Sequence, residues 1–363
     1  MLTILHTESS KGWGGQENRT LNESMGLTKL GARVIIACQP DSQLLKRAEE
    51  KGIEVRPVVM GNSFDPRAIR AIQKIIRRDG VDVVNTHSGR DSIIAGIAGR
   101  LSLSHPVIVR TRHLALPITS KLSYALLPHC IVTVSKYVGQ YLTDCGIKSE
   151  KVVTIPTGVD LGRFDRDAEK GTLKEELGIS PDTPLVGTVA ILRVKKGHQV
   201  LLEAIPKILK AVPQAEFVFA GDGPQRNNIE KTIAEKELKD KVHLLGLRRD
   251  IPNVLKSMDV FVLPTFEEAL GTSFAEAMAM GKAVIGSNVG GVPEVINDGV
   301  NGYLVTPKDP ESIATRVIEL LQNPQKAAEM GNKGRQIAHD QFSIEHMCQS
   351  MLDLYHTLLN GRD

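Results

Sequence analysis

Long apolar runs are missing from this chain. None approaches the roughly 18 to 20 residues that a membrane span needs, so no membrane-spanning helix is expected. Cysteine is scarce: the four present, Cys38, Cys130, Cys145 and Cys348, are scattered, with no CxxC pair and no neighbouring histidine cluster. Neither a disulfide framework nor a zinc site is indicated, and the thiols read as reduced and mostly core. The opening MLTILHTESS lacks the basic flank and cleavage site of a signal peptide and reads as a first strand, which makes a cytoplasmic location the expectation. There is no low-complexity segment and no short repeat. The pattern G-x-G-x-x-G is also absent, which removes the dinucleotide fingerprint.

What remains is ordinary globular composition. The chain has 363 residues, 41% hydrophobic and 24% charged, with 32 Gly, and that length suggests two domains. The net charge of +3 is unevenly placed: residues 1–160 carry 21 Lys+Arg against 14 Asp+Glu, or +7, which leaves 24 against 28, or −4, for the rest. A basic first half suits an anionic surface or substrate; an accident of solvated charge accounts for it equally. Nothing points to nucleic acid.

Strand-like runs alternate with helical patterns. Leu2–His6, Arg33–Cys38, Val81–Asn85, Pro106–Arg110, Cys130–Val134 and Val152–Ile155 form a first series, separated mostly by helix-length segments. A second begins after the Gly- and charge-rich passage 155–178, with Pro184–Ile191, Glu216–Ala220, Val242–Leu245, Val260–Leu263, Ala283–Gly286 and Tyr303–Val305. Such alternation predicts βαβ units on parallel sheets. The expected class is α/β: two Rossmann-like doubly wound domains facing across a cleft, with the boundary near 157–164. A helical tail over 310–360 breaks at Pro324 and near Phe342 and Ser343.

The stretch Glu268 to Gly281, EALGTSFAEAMAMG, follows an apolar strand and opens a helix at Thr272. Glu268 precedes the helix and Glu276 lies about one turn inside it. Free amides and the positive dipole at a helix start favour phosphate, and carboxylates accept hydrogen bonds from ligand hydroxyls. A capped surface helix with two solvated charges is the plain alternative. In LRVKKGH, Arg193, Lys195 and Lys196 stand at a strand end and could clamp a diphosphate as leaving group, or simply be solvated. GWGG at 12–15 places Gly14 and Gly15 at the first strand-to-helix turn, where positive φ and close backbone approach are available; a ligand-free tight turn is the alternative. In AGDGP, Gly221 and Asp222 form another strand-end turn, with Asp222 either touching a ligand or capping the next helix. His87 follows its strand in VDVVNTHS and serves either as proton carrier and hydrogen-bond partner or as a structural histidine. The segment PRAIRAIQKIIRR at 66–78 reads as a sheet-covering helix with a basic outer face or as a membrane-surface helix. Residues 110–129, RTRHLALPITSKLSYALLPH, mix cations with apolar residues that look exposed, a candidate acceptor or membrane surface.

With these residues in hand, the chain resembles the retaining nucleotide-sugar glycosyltransferases of family 4, which have the GT-B fold. Glu268, seven residues, Glu276 and the following AMAMGKAVIGSNVGGVPEVI look like the family's E-x7-E signature; PTGVDLGRF, NDGVNGYLV, HTESSKGWGGQE and VDVVNTHS resemble further family segments. One departure is plain: the family's Arg-Leu pair would put arginine at position 191, where this chain has Ile191, and Arg193 takes its place. The resemblance implies an acceptor-side domain over 1–160, onto which a C-terminal helix at about 344–363 packs back, and a donor domain over 161–343. It implies a donor, a UDP-sugar, whose diphosphate lies on Arg193, Lys196 and the amides around Gly271, Thr272 and Ser273, with Leu270 also in the donor site. Glu276 then takes the ribose and Glu268 the sugar, with Gly14, Gly15 and His87 facing the transferred sugar, and no metal or other cofactor is required. The implied acceptor is a glycan or lipid-linked saccharide of bacterial lipopolysaccharide or surface polysaccharide, compatible with peripheral contact at the inner membrane surface. A nucleotide-sugar epimerase, a phosphorylase-like enzyme and a silent sugar-binding module stay open, as does inversion with Glu8, Glu17 or Asp91 as base.

Overall fold

The computed structural model describes residues 1–361, and the chain divides into two compact units, one of residues 1–158 with the C-terminal helix from Ile344, the other Val159–Ser343. The first unit carries seven strands: β1 (Thr3–Glu8), β2 (Arg33–Cys38), β3 (Glu54–Pro57), β4 (Val83–Thr86), β5 (Val107–Arg112), β6 (Cys130–Thr133) and β7 (Val152–Thr154). They form one sheet in the order β3-β2-β1-β4-β5-β6-β7, every pairing parallel. Strands buried on both faces read as near-continuous apolar runs, which is why most of this sheet is visible in the sequence. The edge strand β3, EVRP, has no such run and escapes that reading. Strand β5 continues two residues beyond the expected Arg110, so that Arg110 and Arg112 both lie inside a buried strand.

The second unit carries β8 (Leu185–Val189), β9 (Glu216–Ala220), β10 (Val242–Gly246), β11 (Val260–Leu263), β12 (Ala283–Ser287) and β13 (Gly302–Val305) in the order β10-β9-β8-β11-β12-β13, again all parallel. Both sheets reverse direction of growth once, between β1 and β4 in the first and between β8 and β11 in the second. At such a switch point adjacent loops diverge beyond the strand C-termini and leave a crevice.

The helix Pro66–Asp79 starts on Asp65, whose side chain accepts from the amides of Arg67 and Ala68, and stops at Gly80 with φ 62°. Its Ala68, Ile72, Ile75 and Ile76 join the core, the sheet-covering arrangement. The tail forms helices Pro310–Gln322, Pro324–Gln341 and Ile344–Asn360. Positions 362 and 363, at the end of the expected 344–363 helix, lie outside the described residues. The last helix belongs to the first unit: Met347, Cys348, Met351 and Tyr355 pack with Ile4, Val83 and Val109. Gly26 on the helix Gly15–Lys29 makes room for it, since a Cβ there would strike the Cys348 sulfur. The four cysteines are free, three buried and Cys145 half-buried. Among the described residues no helix is long and apolar enough to cross a membrane.

Candidate functional site

In the second unit, the loop after β8 and the loop after β11 meet at the switch point. Lys196 Nζ lies 2.5 Å from Glu268 Oε2, both side chains mostly buried. Two backbone features fix that meeting. Gly197 has φ 72°, and a Cβ there would collide with the carbonyl of Pro264, so the basic loop can lie flat on the end of β11 only with glycine at this position. The Lys195 carbonyl then accepts from the Phe266 amide at 2.7 Å and the Thr265 hydroxyl at 2.9 Å. On the other side, Gly290 and Gly291 press against the carbonyls of Glu268 and Ala269, and the Gly291 amide donates to the Glu268 carbonyl at 3.1 Å. The Glu268–Leu270 turn is therefore held between two glycine-bearing loops. The sequence carried that signal in GG following β12, although nothing there tells which loop it supports.

Glu268 rather than Glu267 meets the lysine; Glu267 points out, exposed. Leu270 is buried, and Gly271, φ 95°, leads into the helix Thr272–Ala279, with Thr272 and Ser273 half-buried in its first turn. Glu276 is half-buried, and among the described residues its side chain makes no hydrogen bond or ion pair. Burial pushes its carboxyl up to about 7, opposed by the positive charge of Arg163. Among the described residues the side chains of Arg193 and Lys195 have no partner, Arg193 being exposed. Gly221 lies against the Ala190 carbonyl, so its glycine identity serves loop packing. Asp222 accepts from the Gly223 amide at 2.7 Å and sits 4.0 Å from Arg226; the next helix starts on Gln225, so Asp222 is not its cap. The sequence also contains an Asp-x-Asp spacing, Asp165 and Asp167. Both lie against Arg335, at 3.8 and 2.8 Å. Among the described residues no cluster of His, Cys, Asp and Glu is arranged to hold a metal ion.

In the first unit the switch point holds a chain of histidines. His87 Nε2 is 2.8 Å from His6 Nδ1 on β1, and His87 Nδ1 is 3.0 Å from His113 Nε2 just past β5. His6 and His87 are stacked, ring centroids 5.1 Å apart. Burial lowers the pKa of all three, with mutual repulsion lowering His87 further and Arg19 lowering His113 further, so they are neutral near pH 7. His6 Nε2 faces Glu23 at 4.0 Å. A proton there leaves His6 Nδ1 to accept from His87 and His87 Nδ1 to accept from His113, with His113 Nδ1 at the half-exposed end. Both ring nitrogens of His87 are thus engaged within the first unit, and its side chain is buried. His6 and His113 were missed, because 81 and 26 residues of sequence separate them from His87 and no local pattern marks them.

Beneath the histidines, Glu23 receives Arg19 Nε at 3.4 Å and Tyr355 and Asn85 side chains at 3.3 and 3.2 Å. Of the candidate bases, Asp91 is buried as a helix cap, accepting from the His87 and Ser88 amides and from Thr7. Glu8 accepts from the Ser10 amide and the Gln16 side chain; burial and then Asp91 push it up to about 8. Glu17 is buried too. Gly14 begins the helix Gly15–Lys29 in extended conformation, and neither it nor Gly15 has positive φ, which corrects the reason given for them. Gly15 is exposed, with open space where a Cβ would stand.

Family comparison places known proteins beside this geometry. A model described as "Glycosyltransferase Family 4" matches residues 13–163, and one described as "Glycosyl transferases group 1" matches residues 169–337. The UDP-Gal:alpha-D-GlcNAc-diphosphoundecaprenol alpha-1,3-galactosyltransferase of Escherichia coli is 28% identical over 80% of this chain and 79% of its own length. Other curated relatives, 32% identical, are spanned over 51 to 64% of their length. A glycosyltransferase structure from Rickettsia africae is 26% identical with a TM-score of 0.90, covering 99% of this chain and 98% of that one. The structure of Anabaena HepE in complex with UDP-glucose, 20% identical with a TM-score of 0.84 over 98% of this chain and 100% of that one, shares the fold.

Proposed function

Because this chain belongs to the family 4 glycosyltransferases, with two Rossmann-like domains of the GT-B kind, we propose that it takes its sugar from a UDP-sugar and transfers it with retention of anomeric configuration. The acceptor in this reading is a glycan or lipid-linked saccharide of a bacterial surface polysaccharide such as lipopolysaccharide. The observation that carries the donor site is the Lys196–Glu268 pair at the switch point of the second unit, beside the start of the Thr272–Ala279 helix.

The chemistry follows from what each group can still bind. The diphosphate takes Lys196 away from Glu268 and adds Arg193, which is unpaired, together with the first-turn amides around Gly271, Thr272 and Ser273. Glu268, released, accepts from hydroxyls of the sugar. Glu276, without a partner, accepts from the ribose, and its ionised form is the one those hydrogen bonds favour. Charge that grows on the departing diphosphate is met by these cations and amides, the role a divalent ion fills in other transferases. Gly15, with open space above it, and the His113 end of the histidine chain belong to the acceptor-side unit.

UDP rather than another nucleotide is supported by the names of the E. coli relative and of the Anabaena complex. The test is turnover with a panel of UDP-, GDP- and ADP-sugars, with the anomeric configuration of the product read by NMR. Transfer from a UDP-sugar with the donor's configuration is expected. An inverted linkage defeats retention, and use of GDP- or ADP-sugars alone defeats the donor assignment.

A further inference from the structure

Two arginines of the first unit lack the counter-charge that buried arginines normally have. Arg110 and Arg112 are 7% and 9% exposed, stand two apart on β5 and so project to the same side of the sheet. Arg110 donates to the Ser123 hydroxyl at 3.1 Å, and its guanidinium lies 3.5 Å from the centre of the Tyr124 ring. Arg112 donates to the Tyr124 hydroxyl and the Leu116 carbonyl, and its Nε has no partner. Neither forms an ion pair with any carboxylate among the described residues. Both line a cavity of about 200 Å³ together with Gln16, His87, His113 and the start of the Gly89–Arg100 helix.

Among the described residues, no ionised carboxylate touches either of them. Asp91 attracts Arg110 from beyond contact range, but its oxygens are taken by Thr7, Ser88 and two amides. Glu8, behind Gln16, holds its proton to about pH 8. His87 and His113 are neutral near pH 7. A guanidinium cannot shed its proton in this range, so about two positive charges face a small cavity next to a helix N-terminus, and desolvating them uncompensated is costly. An anion of matching size removes that cost and fits the planar, forked donors of arginine.

We propose that this cavity is an anion subsite that binds a phosphate or diphosphate group carried by the acceptor. The anion site stands on the geometry of the first unit; assigning the group to the acceptor rests on the transferase reading above. The same chemistry could come from the donor's diphosphate, and the experiment separates the two.

Thermal unfolding of the whole chain is measured with inorganic phosphate against chloride at equal ionic strength, each with and without saturating UDP. Phosphate is expected to raise the melting temperature by several degrees more than chloride, and the gain to add to that from UDP. With UDP saturating, so that the donor site is filled, the phosphate gain disappears in Arg112→Met, while the variant itself melts at or above the wild-type temperature, because an uncompensated buried charge has been removed. Equal effects of phosphate and chloride overturn the proposal, as does an undiminished gain in Arg112→Met; a phosphate gain abolished by UDP overturns the assignment to the acceptor. If Arg112→Met does not fold, Arg112→Lys should show a reduced gain, and an unchanged one counts against the site. A phosphate gain without any UDP gain leaves the subsite standing and defeats the donor reading, so the two failures are distinguishable.

Discussion

At the switch point of the first unit the ionisable side chains are buried and bonded largely to one another: His6 to His87 to His113, Arg19 to Glu23, Asp91 to Thr7 and Ser88. At the switch point of the second, Arg193, Lys195 and Glu276 have no side-chain hydrogen bond or ion pair among the described residues, and the Lys196–Glu268 pair is one a ligand can divide. The same topological feature thus serves opposite purposes. The first presents a preorganised polar surface whose hydrogen bonds are internal; the second presents open valences held in place by backbone contacts from glycine-bearing loops. A substitution within the internally bonded set of the first should therefore register mainly as lost stability, and one in the second mainly as lost donor binding or turnover.

The largest effect that sharpens this contrast is expected from Glu268→Gln. If it holds sugar hydroxyls as the bond breaks, kcat with a UDP-sugar falls by about 10²- to 10³-fold, while the melting temperature stays near wild type; steady-state kinetics and thermal unfolding check both halves. Next comes Glu23→Gln in the first unit. It strands the fully buried Arg19 and should reduce stability by about 3 kcal/mol in urea unfolding, an outcome opposite in kind to that for Glu268. Lys196→Met is expected to raise the UDP dissociation constant by about ten- to a hundredfold through loss of one charge-assisted hydrogen bond, as measured by titration calorimetry.

A pH effect is smaller and has a definite sign. The Glu276 carboxyl is raised to about 7 in the free protein, and ribose hydroxyls favour its ionised form, so binding expels a proton below that pH. UDP affinity should weaken on acidification by up to about tenfold per pH unit below pH ~7, and Glu276→Gln should flatten that dependence. For folding the sign is the reverse: a carboxyl raised above its unfolded value of 4.5 stabilises the fold at low pH, a contribution lost as pH rises through 7. Smallest of all, Asp222→Ala should change UDP affinity by less than about twofold, since Asp222 is exposed and engaged locally with Gly223 and Arg226.

How far the sequence carried these conclusions differs between the two sites for the same reason. Glu268, Gly271 and Glu276 lie within one strand–turn–helix unit, where spacing alone places a carboxylate before a helix and another inside it. The buried runs of β1, β2, β8 and β11 declare themselves by composition. The histidine chain does not, since it joins residues from three separate strand ends and only the strand order β1-β4-β5 brings them together. Arg112 is invisible for a related cause: charged residues at the end of an apolar run read as the end of a strand, whereas here the strand continues through them into the core. The glycines at 14 and 15 were singled out for a backbone freedom they do not use, while Gly197 and Gly290 do use it.

The second unit is, in this reading, the nucleotide site. Titration calorimetry of UDP against the wild-type chain and against Glu276→Gln at neutral pH tests it in one experiment. UDP should bind the wild-type protein and bind the variant at least about tenfold more weakly, the loss of a hydrogen-bonded charged acceptor; equal affinity in the two proteins, or no binding of UDP to either, would contradict it.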